Sequence, residues 1–200
     1  VRNRMAQLKV LEQRPLTEEE LKEVAASDAA KATPRTTQPK VVTRIEFVEI
    51  SSDGTPLGEA REFDILGDMI YLDYLQVTFS DQFVEEADLE RSTAIALFNR
   101  IFGEYQEPVD GFRIDQVGTR PVPYDRGNSM SDFERKIWDD FWVISNDPKR
   151  ASDLCIHAAH GEAVAISAQP GMTYEIELRA AGGMTIKPTQ TPTTSDTSTN

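Results

Sequence analysis

Residues 172–180 read MTYEIELRA, and within them Tyr174, Ile176 and Leu178 alternate strictly with Glu175, Glu177 and Arg179. A period of two with one apolar set and one charged set describes a strand with a buried face and a wet face, as in an antiparallel sheet. Turn chemistry brackets the stretch, with Gln169-Pro170-Gly171 before it and Gly182-Gly183 after it. Proline presets φ, and glycine supplies the positive φ that tight turns need. With AVAIS (163–167) upstream and MTIKP (184–188) downstream, the pattern predicts a meander of three strands.

Further upstream the period changes to that of a helix. Phe133, Ile137, Phe141 and Ile144 recur at helical spacing, with Trp138 and Trp142 flanking the stripe, and Ser131 followed by Glu134 forms a capping box. SNDP (145–148) ends this helix and starts another. Asn146 or Asp147 is its cap and Pro148 stands at the first helical position, where a missing N–H costs nothing. The second helix carries Ala151, Leu154, Cys155 and Ala158 and ends at Gly161. A helical pair is therefore expected over 131–160.

Period two returns nearer the front. VVTRIEFVEI (41–50) is apolar on both faces, as a central strand would be, and SSDGTPLG (51–58) is a turn centred on Asp53-Gly54. AREFDIL (60–66) is the return strand, closed by Gly67-Asp68. DMIYLDYLQVTFSD (68–81) is long and strand-like, and its apolar phase shifts near Tyr74, which predicts a bulge or bend. Residues 81–107 stay open between helix and strand. STAIALFNRIFG (92–103) fits a helix face through Ile95, Phe98, Ile101 and Phe102 and equally a buried strand. Residues 107–129 are turn-rich, with a short strand expected at Phe112–Asp115.

The ends differ in kind. VRNRMAQLKVLEQR (1–14) puts Val1, Met5 and Leu8 on one helical face and stops at Pro15. A second helical piece starts at Thr17, whose hydroxyl and Glu20 form a capping box, with Leu16 and Leu21 at staple positions. Its apolar stripe (Leu21, Val24, Ala25) is thin, so residues 1–40 are expected to be a charged helical stalk or linker, or else a short coiled coil or docking helix. ATPRTTQPK (32–40) marks a boundary, 41–188 is expected as one globular domain, and TQTPTTSDTSTN (189–200) as a disordered tail. The expected class is α+β: mainly antiparallel sheet, in a barrel or sandwich, with the helical pair packed on it.

Acidic residues outnumber basic ones, 34 to 21, for a net charge of −13. Nucleic acid must be met by clustered Lys and Arg that release counterions, and here the basic residues are few and scattered. Cys155 is the lone cysteine, which excludes an intramolecular disulfide and multi-cysteine zinc sites. It reads as a small buried hydrophobe. No apolar run approaches the ~18 residues of a membrane span. The chain starts at Val1, which is compatible with a targeting or membrane segment having preceded it.

Few residues could carry chemistry. His157 and His160 stand three apart on the expected helix, with Glu162 beyond, but a metal site needs a third ligand and supporting hydrogen bonds. They read as a pair at the negative end of a helix dipole. Asp139 and Asp140, within WDDFW, would point ~100° apart on a helix and could not share one substrate atom. Trp138 and Trp142 read as core rather than as a sugar platform. Asp53 lacks the alternating acidic ligands of a calcium loop, and no GxSxG, GxGxxG or P-loop occurs. No catalytic, cofactor or metal residue is expected.

Taken together, RIEFVEI, GDMIYLDYLQVTF, FNRIFGEYQEPVDGF, IWDDFW, NDP-RA, IHAAHGEA and PGMTYEIELRAAGGMTI resemble a group of uncharacterised bacterial proteins over residues 40–188. The resemblance implies one N-terminal membrane helix, a short charged helical stretch and then this domain, with residues 1–30 as the juxtamembrane stalk. The leading expectation is a non-catalytic interaction or structural module displayed outside the cytoplasmic membrane. Its partner would be a protein or another component of the cell envelope, with no nucleic acid, and with membrane contact only through an upstream segment. The alternatives are a hydrolase or carbohydrate-active protein with a cleft near the helical pair, and a cytoplasmic location.

Overall fold

The computed structural model describes residues 3–26, 40–79, 94–125, 127, 129–130, 132, 135, 138–139, 149, 156–159, 163–179 and 183–190. In chain order they form β1 (Arg4–Pro15), α1 (Glu18–Ala26), β2 (Val41–Ile50), β3 (Arg61–Leu66), β4 (Met69–Phe79), β5 (Ala94–Gly103), β6 (Phe112–Arg113), β7 (Ile156–Ala159), β8 (Val164–Ser167), β9 (Met172–Leu178) and β10 (Met184–Gln190). Single 3-10 turns lie at Pro108–Asp110 and Val122–Tyr124. All strand pairs are antiparallel. One sheet has the order β10-β9-β1-β2-β3; the other runs β6-β5-β4-β7, with β8 also on β4.

The two sheets share one core. Ala6, Leu8 and Val10 of β1, Ile45 and Phe47 of β2 and Ile176 and Leu178 of β9 meet Ile70 and Leu72 of β4 and Phe98 and Ile101 of β5. Phe47 and Phe98 cross that interface edge to face, with ring centroids 5.6 Å apart, a favoured aromatic geometry. The chain changes sheet at two corners. At β3–β4 Gly67 takes φ 102°, a conformation that costs glycine little. At β8–β9 the Ala168 amide donates to Asp68 O at 2.8 Å. Gln13 and Thr43 tie the corners together. Gln13 Nε2 donates to Ala168 O and Thr43 Oγ1, and Thr43 Oγ1 donates to Gly67 O at 2.6 Å. On the opposite flank Phe63 of β3 stacks on Phe112 of β6, and Arg61 donates to Arg113 O, so the sheets are also joined there.

Several expectations are corrected. The fold is mainly β, not α+β with a packed helical pair. Ile156–Ala159, assigned to the second helix, is β7 and pairs with Gln76–Phe79 of β4. Asp132, Arg135, Trp138, Asp139 and Lys149 have helical backbone, yet among the described residues no pair of helices packs on a sheet. The edge of β4 offers Ile156–Ala159 a row of backbone donors and acceptors, and pairing with it outweighs the helix preference of a short Ile-His-Ala-Ala run. The C-terminal meander is also broken: β9 and β10 pair, but β8 pairs with β4 in the other sheet.

The largest correction concerns the front. The stretch expected as a helical piece of a stalk is β1, hydrogen-bonded to β2 on one side and β9 on the other. The folded unit therefore includes residues placed outside the expected 41–188 boundary, and at its far end β10 reaches Gln190.

Other expectations hold. The β4–β5 register shifts between Asp73 and Tyr74, where the bulge was expected; of the stretch 81–107, left open between helix and strand, Ala94–Gly103 is strand β5 and 81–93 lie outside the described residues. The capping box at α1 forms in both directions, Thr17 N to Glu20 Oε2 at 2.8 Å and Glu20 N to Thr17 Oγ1 at 3.3 Å. Leu16 is buried but Leu21 is exposed, so the staple is closed from one side only.

Candidate functional site

Arg4 is the first residue of β1 and points into the core, only 1% exposed. A lone buried guanidinium would be severely destabilising, and it is tolerated only when its donors are used and its charge is matched. Here the match is close to complete. Nη1 and Nη2 grip Asp115 as a fork at 2.5 and 3.0 Å, Nε donates to Glu49 Oε1 at 2.7 Å, and Nη1 also reaches Ala96 O at 3.2 Å. The guanidinium lies over the Phe98 ring at 4.7 Å and the Tyr124 ring at 5.8 Å. Burial alone would push its pKa down; Asp115 and then Glu49 overcome that, so it stands above the ordinary arginine value.

Arg4 thereby joins three parts of the molecule. Glu49 belongs to β2 beside it, Ala96 and Phe98 to β5 across the core, and Asp115 and Tyr124 to the segment after β6. That segment completes the outer edge of β5 beyond β6. Ile114 N donates to Asn99 O, Asp115 N to Phe98 O, and Asp115 Oδ2 accepts from Phe98 N. At Ala96 a tyrosine hydroxyl stands in for a strand: Tyr124 Oη accepts from Ala96 N and donates to Ala96 O, both at 2.9 Å. Burial raises the Tyr124 phenol above its ordinary pKa, which keeps the donating proton in place.

The same segment carries an unusual surface. Among the described residues the exposed large apolar side chains are Leu11, Leu21, Val109, Phe112, Val117 and Val122. Four of these fall within fourteen residues of chain, Val109 at 71% exposure, Val122 at 54%, Val117 at 49% and Phe112 at 37%. Arg100 fixes the front of the segment by donating from Nη1 to Pro108 O at 2.8 Å and to Val109 O. Trp138 supports its rear: it is buried, its ring lies 5.9 Å from that of Tyr124, and its carbonyl accepts from Gly118 N.

Of the residues singled out in the sequence, Trp138 is core, as expected. Asp139 is exposed, with its carboxylate beside Gly118. His157 lies on β7 opposite Thr78, on a strand instead of a helix end. Asp140, Trp142, Cys155, His160 and Glu162 lie outside the described residues. Asp53 organises its own turn, accepting from Ser51 Oγ and from Thr55 N at 3.0 Å, and these bonds hold its pKa near 2. Among the described residues no group of three His, Cys, Asp or Glu could hold a metal ion, and no helix is long and apolar enough to cross a membrane. Comparison with protein-family models, with curated proteins and with solved structures finds no match.

Proposed function

We propose that the protein is a non-catalytic interaction module, displayed on a membrane-anchored bacterial envelope protein, whose contact surface is the segment from Val109 to Val122. The carrying observation is the concentration of exposed apolar side chains on a segment whose backbone is tied to the core through Asp115 and Tyr124. Solvent-exposed aliphatic groups are tolerated singly, but concentrated on a pre-ordered loop they favour a protein partner, because little ordering entropy remains to oppose binding. The most strongly charged buried cluster, around Arg4, has its donors directed to internal acceptors, which suits a strut better than a reactive centre. The competing hydrolase reading placed its cleft at a helical pair, and among the described residues no such pair packs on a sheet.

Photo-crosslinking in cells tests this. A benzoylphenylalanine at Val109 or Val122 should trap one discrete protein partner, and the same group at Lys9, on the polar outer face of β1, should trap none. Val122→Ser should abolish the product while leaving the melting temperature within a degree or two. Equal crosslinking from all three positions would overturn the proposal.

A further inference from the structure

We propose that Arg4 is a positioning residue for the rear of the docking segment: through its fork on Asp115 and its contact with Tyr124 it fixes the conformation that presents Val117 and Val122, while Arg100 holds Val109 and Phe63 holds Phe112. This rests on the reading of that segment as the contact surface. The reasoning starts from what a buried ion cluster supplies. For stability alone, an apolar side chain of similar volume serves as well as a buried ion pair or better. An apolar contact is also non-directional, so it would not hold a carboxylate in one orientation.

The fork does hold it, and the orientation of Asp115 matters twice. One of its oxygens accepts both from Arg4 and from the Phe98 amide, while its own N–H donates to Phe98 O. Asp115 is thus registered against β5 by main chain and side chain together. Tyr124 closes the segment nine residues later, bonded to Ala96, with its ring facing Arg4 and backed by Trp138. A residue from β1 therefore holds one anchor, Asp115, and lies against the other, Tyr124, of a segment more than a hundred positions further along the chain. Arginine is required, because lysine has no planar fork and cannot bond both carboxylate oxygens while reaching Glu49.

The experiment compares Arg4→Lys with the wild-type protein by amide hydrogen exchange, alongside the photo-crosslinking above. Exchange at Phe98, Ile114, Asp115 and Gly118 should accelerate about tenfold or more, as for loss of a charged hydrogen bond. Exchange at Leu8, Ile45 and Ile176 should change far less, and crosslinking from Val122 should fall. Uniform acceleration across both groups of amides, or none in either, would overturn the inference. So would a loosened segment that crosslinks as well as before. Should Arg4→Lys fail to fold, Tyr124→Phe removes one hydroxyl only; it should accelerate exchange at Ala96 and Gly118, and an unchanged pattern there counts against the inference. Absence of any crosslink in the wild-type protein would refute the interaction reading instead, while the exchange data still decide whether Arg4 orders the segment.

Discussion

Removing Arg4 leaves Asp115 and Glu49 facing one another without their common counter-charge, and truncating one member of a buried ion pair costs about 3–5 kcal/mol. Arg4→Met is therefore expected to lower the urea midpoint by a large share of a domain's total stability, with an unchanged denaturant slope. Two carboxylates elsewhere titrate with opposite signs. Glu20 is held near pKa 2 by the Arg14 fork and the Thr17 bonds, below its unfolded value. Its contribution to α1 is thus present above about pH 4.3 and fades as pH falls toward 2, and a carboxyl NMR titration should find that low midpoint rising with added salt. Asp73 is raised by burial, partly countered by Asn99. Its ionisation disfavours the fold as pH climbs through the raised value, and Asp73→Asn should stabilise the protein at neutral pH. The Glu20 cap was legible in the sequence as a Thr17–Glu20 capping box, but the roles of Arg4 and Asp73 were not. Arg4 reads in the sequence as one more charge on a polar helix, because nothing local announces a carboxylate 111 positions away.

Element by element, legibility followed the clarity of the period. β3, β9 and β10 were plain, because their apolar and polar positions alternate, and β2 showed the apolar residues on both faces that an inner strand carries. β1 carries the same signal over Ala6, Gln7, Leu8, Lys9 and Val10, but the helical spacing of Val1, Met5 and Leu8 and the helix-favouring Gln, Lys and Glu masked it. β5 is buried at three consecutive residues, Ala96, Leu97 and Phe98, and a strand covered on both faces loses its alternation. Gly103 ends β5 against the β3 corner. A Cβ there would run into the Leu66 carbonyl and sit 2.7 Å from Ile65 Cγ2, so Gly103→Ala should cost about 1–3 kcal/mol, read as a lower melting temperature. At the outer edge, the Arg179 amide donates to Gly183 O. Odd-numbered residues of β10 therefore direct their backbone groups toward β9 and even-numbered ones direct theirs outward. Pro188 is even-numbered, and its missing N–H blunts an edge that could otherwise recruit another strand. Pro188→Val should promote self-association, and a sedimentation profile that stayed monomeric at every concentration would contradict this role.

At the scale of the whole molecule, a fragment beginning at residue 41 lacks the middle strand of a five-stranded sheet. It should show no cooperative thermal transition and poor amide dispersion, and a sharp two-state melt of that fragment would contradict the topology. The sequence misled here for a physical reason: which strand stands in the middle depends on pairings between distant residues, and no local window contains them. Arg4 faces Leu178 and Lys9 faces Thr173, so β1 gains its second neighbour only after every other strand except β10 has been made. At ~5–20 residues per second, a ribosome spends on the order of ten seconds between releasing β1 and releasing β9. Throughout that interval β1 can pair on one side only, with β2, while the edge that β9 will occupy stays open. Contacts of such long sequence separation are paid for late in loop-closure entropy and slow the search for the native state. The nascent chain thus carries an unfinished sheet from the release of β1 until that of β9, and anything that shelters β1, or hastens arrival of β9 and β10, will raise the yield of folded protein.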